Sequence, residues 1–372
     1  MSGRLALVAN ALLLGLLLFF GWLQWAHPNA YYESVQEDQA LEWASFWSFF
    51  VAGVTFIVAA RRQRRTTGAV PWFFVGLALF CVLVAMEEIS WGQRVFGHRP
   101  PDYFLAENYQ QEINLHNIAG TGLRVGLLRA IILGYGVLLP LLTLVPAARR
   151  LLDRLGILPP PIELAPSMFA LFWVHLQYPW KFTGEIVECG LGFAFLFVAM
   201  VAAEDFAEAR SRSTFSRAAG LTTLVIALGF GTAVWSQNRA SSDPTYLGLA
   251  EAETQALKED FTALAKEREK ASITKCNVHK RLYTFAEDKG YADPLSTGRF
   301  ASRVGAQMPE ARAKFFLDPW NSPYWIRDRC DDDNGRRVMF IYSFGRNRSR
   351  DSDRWTLLGD DIGQYLIGHP SP

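Results

Sequence analysis

Long apolar runs alternate with short polar segments as far as about Trp235, and beyond that residue the chain is polar and charged. A helix crosses a bilayer core with about 20 apolar residues, and several runs meet or approach that length. The predicted spans are Leu5–Trp25, Leu41–Ala60, Trp72–Met86, Val125–Val145, Ile162–Leu176, Ile186–Ala203 and Leu221–Trp235. The pattern predicts an α-helical polytopic membrane bundle of about seven spans in residues 1–238 and a soluble domain in residues 239–372.

Basic residues set the predicted orientation of these spans. Arginines cluster after the second and fourth spans and between the sixth and seventh, whereas the other loops are acidic or mixed. Cytoplasmic loops carry the excess of Lys and Arg, so the N-terminus is predicted to be cytoplasmic and the C-terminal domain periplasmic. We therefore expect a bacterial inner-membrane protein in contact with the lipid bilayer. A formal net charge of +1 gives no indication of nucleic-acid binding.

The four cysteines fall into two pairs. Cys81 and Cys189 lie within apolar spans, whereas Cys276 and Cys330 lie in the C-terminal domain. In an oxidising compartment the second pair can form a disulfide, and two free thiols are the alternative. The spacing matches no zinc-binding pattern.

The C-terminal domain is predicted to contain both helices and strands. Apolar residues at helical spacing predict a long helix from Pro244 to about Lys270 and a short one over Asn277–Glu287, closed by Lys289-Gly290. A β-rich run, Val338–Tyr342, follows the turn residues Asn334-Gly335.

Three motifs follow the long helix in order. They are Asp318-Pro319-Trp320-Asn321-Ser322-Pro323-Tyr324, Tyr342-Ser343-Phe344-Gly345 and Asp360-Asp361-Ile362. Over residues 221–368 this order resembles the major pseudopilins of type II secretion systems. The resemblance implies an α+β pseudopilin-like domain, with a long helix and a small antiparallel sheet, that binds a protein partner.

The resemblance also implies a calcium-binding loop. Its oxygen ligands would be Asp351, Asp353, Asp360 and Asp361, although Arg346-Asn347 replaces the Asp-Gly that opens the loop in the family. A solvated acidic turn is the alternative. The helix is the last of several spans and no leader cleavage site is evident, so we expect a fixed periplasmic module and not a subunit that polymerises.

A cluster of polar residues lies at the ends of the predicted spans. Glu87-Glu88-Ile89-Ser90-Trp91-Gly92-Gln93-Arg94 ends the third span, and residues 108–117 are rich in amides and acids. Both segments resemble an uncharacterised family of bacterial polytopic membrane proteins, which implies no activity. If they are helical, Glu87 shares a face with Ser90, and Glu112 shares one with His116.

Carboxylates and imidazoles from several helices are typical of Mn, Fe or Zn sites in bundles. The candidate ligands are Glu87, Glu88, Glu112, His116, Glu185 and Glu188. The alternative is a set of interfacial ion pairs that fix helix packing.

Three functional classes fit the sequence. The first is a non-catalytic envelope protein whose periplasmic domain docks a partner assembly. The second is a membrane-embedded metal-dependent enzyme acting on a lipid or polyprenyl-linked substrate at the periplasmic face. The third is an ion- or proton-conducting or transport subunit with Glu87 and Glu185 as relay groups. We favour the first class, because it needs only the features described above.

Overall fold

A computed structural model describes residues 3–108, 110–206, 214–239, 243–267, 276–305, 308–331 and 335–368. The chain forms two compact units. Unit 1 comprises Met1–Gly92 and Asn114–Val234, and unit 2 comprises Gln93–Ile113 and Trp235–Pro372. Arg210 and Arg212, which contributed to the predicted orientation, lie outside the described residues.

Helices account for the regular structure described in unit 1. They are α1 (Gly3–Ala26), α2 (Pro28–Ser34), α3 (Ala40–Thr67), α4 (Trp72–Glu88), α7 (Thr121–Ala130), α8 (Leu139–Leu142), α9 (Pro146–Leu155), α10 (Ala165–Gln177), α11 (Thr183–Asp205) and α12 (Thr214–Arg239). Helices α5 (Gln93–Phe96) and α6 (Asp102–Glu107) lie between α4 and α7 in the chain and belong to unit 2. Helix α12 extends five residues beyond Val234, the last residue of unit 1. A π-helical stretch, Ile131–Leu138, joins α7 to α8.

Among the described residues, five helices are long and apolar enough to cross a membrane. They are Leu5–Ala26, Ala40–Thr67, Thr121–Leu142, Thr183–Asp205 and Ser216–Asn238. The two other predicted spans are helical but shorter, because α4 has 17 residues and α10 has 13. The structure thus supports a membrane protein with several spanning helices.

Helix α11 is the most deeply buried of these helices and packs against α3, α10 and α1. Small residues allow the close approach. A Cβ on Gly192 would lie 2.0 Å from the Ser48 hydroxyl of α3, and one on Gly53 would lie 2.9 Å from Val82 of α4. The Arg62 guanidinium donates a hydrogen bond to the Ala203 carbonyl at the other end of α11. Close packing of this kind holds helices together where lipid removes the hydrophobic driving force.

Unit 2 combines helices with an antiparallel sheet. Its further elements are α13 (Pro244–Glu267), β1 (Val278–Arg281), α14 (Leu282–Lys289), α15 (Ala292–Ser296), α16 (Arg299–Arg303), α17 (Pro309–Phe315), β2 (Trp325–Asp331), β3 (Arg336–Ser343) and β4 (Ile362–Ile367). The four strands lie in the order β1-β2-β3-β4. The predicted long helix and the predicted strand are confirmed as α13 and β3.

Two apolar layers enclose this sheet. Leu257 and Phe261 of α13 pack with Ile326, Met339 and Ile341 against one face. The other face, which we call the second face, carries Val338, Phe340 and Tyr342, and Trp355 and Leu357 of the following loop pack against it. Neighbouring residues of a strand point to opposite faces, so β3 contributes to both layers.

The predicted short helix over Asn277–Glu287 is wrong at its start. Val278–Arg281 form strand β1, which pairs with Trp325–Asp328 of β2, and the helix begins only at Leu282. A disulfide between Cys276 and Cys330 joins the chain just before β1 to β2. Pairing with a distant strand therefore overrides the local helical pattern.

The domain boundary also differs from the predicted one. Residues 93–113, which the sequence placed in the membrane module, cluster with unit 2. Leu105 of α6 is fully buried with Phe315 and Leu317, and the Gln111 amide donates hydrogen bonds to the Leu105 and Phe315 carbonyls, both at 3.3 Å. We call residues 93–113 the strap.

Candidate functional site

The loop after β3, residues 346–361, brings Asp351 close to the adjacent pair Asp360 and Asp361. It begins after Gly345, whose φ of +65° lies in the left-handed region. A Cβ at this position would lie 2.1 Å from the Asp360 carbonyl oxygen, so the turn requires glycine. The close contact at Gly345 joins the beginning of the loop to its end.

Asp351, Asp360 and Asp361 form a triad in which one ligand atom from each residue lies within 4.8 Å of the others. Loop groups hold one oxygen of each carboxylate. Asp351 Oδ2 accepts a hydrogen bond from the Asp360 amide at 3.1 Å, Asp360 Oδ2 from the Asn347 amide at 2.9 Å, and Asp361 Oδ2 from the Ser352 amide at 2.7 Å. Asp360 Oδ1 and Asp361 Oδ1 are buried, and no group in the described part of the chain donates a hydrogen bond to them.

This arrangement fits a hard divalent cation. Ca²⁺ takes oxygen ligands at about 2.4 Å, so ligands on opposite sides of the ion lie up to about 4.8 Å apart. Burial raises the pKa of Asp361 to about 7 and that of Asp360 to about 6, and the neighbouring Asp351 carboxylate adds to both increases. A bound cation would reverse these shifts by favouring the charged carboxylates.

Asp353, the fourth aspartate implicated by the resemblance, lies outside the triad. Its Oδ1 accepts hydrogen bonds from the Trp355 amide at 2.6 Å and the Thr356 amide at 2.7 Å. Asp353 thus stabilises a turn of the loop, a common role for Asp side chains. The turn leads into Trp355 and Leu357, which cover the second face, and the Leu357 amide donates to the Tyr365 hydroxyl at 2.9 Å.

A buried polar network lies beneath the Asp318–Tyr324 motif. The Arg312 guanidinium donates to both oxygens of Glu253, at 2.8 and 2.7 Å, and to the Asp318 carbonyl at 3.1 Å. The Tyr324 hydroxyl donates to Glu253 Oε2 at 2.7 Å. Burial raises the pKa of Glu253, while Arg312 acts in the opposite direction. The network connects α13 to the motif.

Asp318 shapes the motif from within. Its Oδ1 accepts hydrogen bonds from the Trp320 amide at 2.9 Å and the Ser322 amide at 2.8 Å, and its Oδ2 accepts one from the Ser343 hydroxyl. Complete burial raises the pKa of Asp318 to about 7. Sequence reasoning missed the roles of Arg312, Glu253 and Ser343, because no local pattern relates residues so far apart in the chain.

In unit 1, both oxygens of the Glu87 carboxylate accept hydrogen bonds from nearby groups. Oε1 accepts from the Trp91 indole at 2.7 Å, and Oε2 accepts from the amides of Leu115, at 2.6 Å, and His116, at 3.0 Å. The His116 ring nitrogen Nδ1 lies 3.3 Å from the same Oε2. The Ser90 hydroxyl accepts a hydrogen bond from the side-chain amide of Asn114 at 3.2 Å. Glu87 and Ser90 together therefore fix the turn at residues 114–116.

The predicted helical faces in this region are wrong. Helix α4 ends at Glu88, and Ser90, Trp91 and Gly92 have φ values of +46°, +55° and +76°. Glu112 and His116 lie in an irregular segment and share no helical face. Hydrogen bonds between side chains and the backbone replace helical ones here. Polar side chains near helix ends often compete with helical hydrogen bonds in this way.

Among the described residues, no three of the six candidate ligands of the membrane-module metal site have ligand atoms within metal-binding distance of one another, although His116 Nδ1 lies 3.3 Å from Glu87 Oε2. Within the described ranges, the aspartate triad is the only group of three or more His, Cys, Asp or Glu residues whose ligand atoms meet at metal-binding distance. Glu88 lies within electrostatic range of both Glu185 and Glu188, and it hydrogen-bonds with Ser45 of α3.

Comparison of the chain with protein-family models, curated proteins and solved structures gives no match. Function must therefore be inferred from the geometry of the two units themselves.

Proposed function

We propose that this chain is a non-catalytic envelope protein of the bacterial inner membrane and that unit 2 docks a partner assembly in the periplasm. The observation that carries the proposal is the aspartate triad at the base of the loop that covers the second face. Calcium at this triad would hold residues 346–361 against the sheet. Extracellular modules commonly use Ca²⁺ in this structural way, with dissociation constants of about 10⁻⁴–10⁻³ M.

The proposed topology has seven spans, with the N-terminus in the cytoplasm and unit 2 in the periplasm. Arginine-rich ends of α3 and α9 support a cytoplasmic location for those ends. The Cys276–Cys330 disulfide supports an oxidising compartment for unit 2. The short helices α4 and α10 would serve as the third and fifth spans.

The proposal of a non-catalytic role rests on the hydrogen bonds that the Glu87 carboxylate accepts. Both of its oxygens accept hydrogen bonds from the protein itself, which leaves a role in fixing structure. A general base or metal ligand would instead offer an oxygen to a substrate or ion.

Cross-linking in intact cells, followed by purification of the full-length protein, tests the docking role. Wild type should capture a defined partner in Ca²⁺, and the partner should be lost in EGTA, in Asp361→Asn, and after truncation at Arg239. Asp353→Asn is the matched control, because Asp353 lies outside the triad, and it should retain the partner. Recovery of the same partner with the truncated protein would contradict the proposal.

An ion or proton relay is the second candidate function, favoured by the proximity of Glu88, Glu185 and Glu188. Carboxylates inside a helical bundle are costly unless they serve transport or are paired. Proton flux into liposomes containing the purified protein should then fall in Glu88→Gln. Equal flux in liposomes with and without the protein would exclude the relay.

A further inference from the structure

The turn between α4 and the strap has a strained backbone. Ser90 and Trp91 are not glycines, yet both lie in the left-handed region, with φ of +46° and +55°. The left-handed conformation is unfavourable for any residue with a side chain, because its Cβ crowds the following carbonyl oxygen. Such strain persists only where surrounding contacts impose it, and it is concentrated at switches and binding sites.

Side chains three residues apart impose this conformation. Glu87 binds the amides of Leu115 and His116, Ser90 binds Asn114, and Gln93 Oε1 accepts a hydrogen bond from the Ile113 amide at 2.9 Å. The three side chains thus engage successive residues of the returning chain and hold the two ends of the strap together. We call the Glu87 bonds to Trp91, Leu115 and His116 the latch.

The strap itself is anchored inside unit 2. Leu105 is fully buried against Phe315 and Leu317, and Gln111 binds the Phe315 carbonyl. The chain passes directly from the anchored strap to the latch, because Ile113 precedes Asn114. A displacement of the strap therefore pulls on the latch through only a few covalent bonds.

We propose that Ser90–Gly92 is a strained hinge and that the strap transmits changes in unit 2 to the end of α4, where the Glu87 latch restrains the hinge. Release of the latch lets the hinge relax toward ordinary backbone angles. Glu88 lies two residues before the hinge and hydrogen-bonds with Ser45, so relaxation also moves a carboxylate of the Glu88, Glu185 and Glu188 group. This coupling of the strap, the latch and the hinge does not depend on which partner unit 2 docks.

Hydrogen exchange measured by mass spectrometry on the full-length protein in nanodiscs tests the device. Gln111→Ala removes only an anchor within unit 2. It should nevertheless raise amide exchange of Leu115 and His116 at least about tenfold, because their protection depends on charge-assisted bonds to Glu87. Leu105→Ala should have a larger effect. Tyr103→Ala is the matched control on the same helix, because Tyr103 is 60% exposed, and it should leave both amides unchanged.

The reverse direction provides a second arm. Glu87→Gln, which weakens the latch, should raise exchange of the strap amides, including that of Leu105. If Leu105→Ala also raises exchange throughout α13, the fold of unit 2 is compromised and Gln111→Ala decides. Loosening of the strap in Gln111→Ala with wild-type exchange at Leu115 and His116 would overturn the proposal, since the strap would then be a static support.

Discussion

Replacing Arg312 with methionine tests the role of the buried polar network. Arg312 and Glu253 are almost fully buried, with 4% and 0% of their side chains exposed, and Arg312 Nη2 donates to both carboxylate oxygens of Glu253. Methionine keeps much of the arginine volume but removes the charge. Glu253 then stays in the core without its counterion, and the Asp318 carbonyl loses its hydrogen bond from Arg312 Nε.

Removing one partner of a buried pair costs about 3–5 kcal/mol. We therefore expect Arg312→Met to lower the free energy of unfolding of unit 2 by about 4 kcal/mol, a large share of the roughly 5–15 kcal/mol that stabilises a domain. With a urea dependence of about 2 kcal/mol per molar, the unfolding midpoint should fall by about 2 M. Arg299→Met is the control, because Arg299 is 61% exposed and contributes little through its 3.6 Å pair with Glu259.

The pH dependence of this loss has a defined sign. Burial already raises the pKa of Glu253, and removal of Arg312 raises it further. A carboxyl whose folded pKa exceeds its unfolded pKa destabilises the fold as pH rises between the two values. The loss of unfolding free energy in Arg312→Met should therefore be smaller at pH 5 than at pH 8, because protonated Glu253 carries no charge.

Urea titration of the full-length protein in nanodiscs, with hydrogen exchange of α13 and β3 peptides as the readout, measures both effects. The double variant Glu253→Leu/Arg312→Met should be less destabilised than Arg312→Met alone, since Glu253 no longer leaves a buried carboxylate without its counterion. An Arg312→Met protein as stable as wild type at pH 8 would refute the reasoning.

Three further predictions follow from unit 2. Cys276→Ser should lower its unfolding free energy by about 4 kcal/mol, the loop-entropy value for a 54-residue separation, and dithiothreitol should lower the urea midpoint of wild type but not of the variant. Calcium affinity, measured by titration calorimetry, should be weaker at pH 5.5 than at pH 7.5, because Asp360 and Asp361, with pKa values of about 6 and 7 without the cation, must lose their protons to bind it. Without a cation, the raised pKa values of Asp360 and Asp361 make unit 2 less stable as pH rises from about 4 to 7. Excess Ca²⁺ should reverse that trend in urea titrations. An unchanged trend would contradict the assignment of the triad.

Residue patterns were sufficient to predict the elements that depend on local sequence. Apolar length identified the spanning helices, helical spacing identified α13, and the turn residues before Val338 identified β3. The candidate calcium residues came from a resemblance, and three of the four lie together in the structure.

Long-range interactions explain what the sequence did not predict. Strand β1 forms only because β2, some 50 residues later, offers a partner. The strap belongs to unit 2 because Leu105 finds Phe315 and Leu317, which no pattern near Leu105 indicates. Similarly, the motif Glu87–Arg94 was predicted as the end of a helical span, but donors on residues 113–116 hold Ser90–Gly92 in a left-handed turn.

The central claim is that a cation bound at the aspartate triad holds the loop 346–361 of unit 2 in place. Calcium titration of the full-length protein in nanodiscs tests this claim most directly. Calorimetry on wild type, Asp361→Asn and Asp353→Asn would be combined with hydrogen exchange of residues 346–361. We predict about one Ca²⁺ per chain in wild type, with lower exchange of the loop on binding, no binding in Asp361→Asn and retained binding in Asp353→Asn. Absence of binding in wild type, or equal binding by Asp361→Asn, would contradict the account.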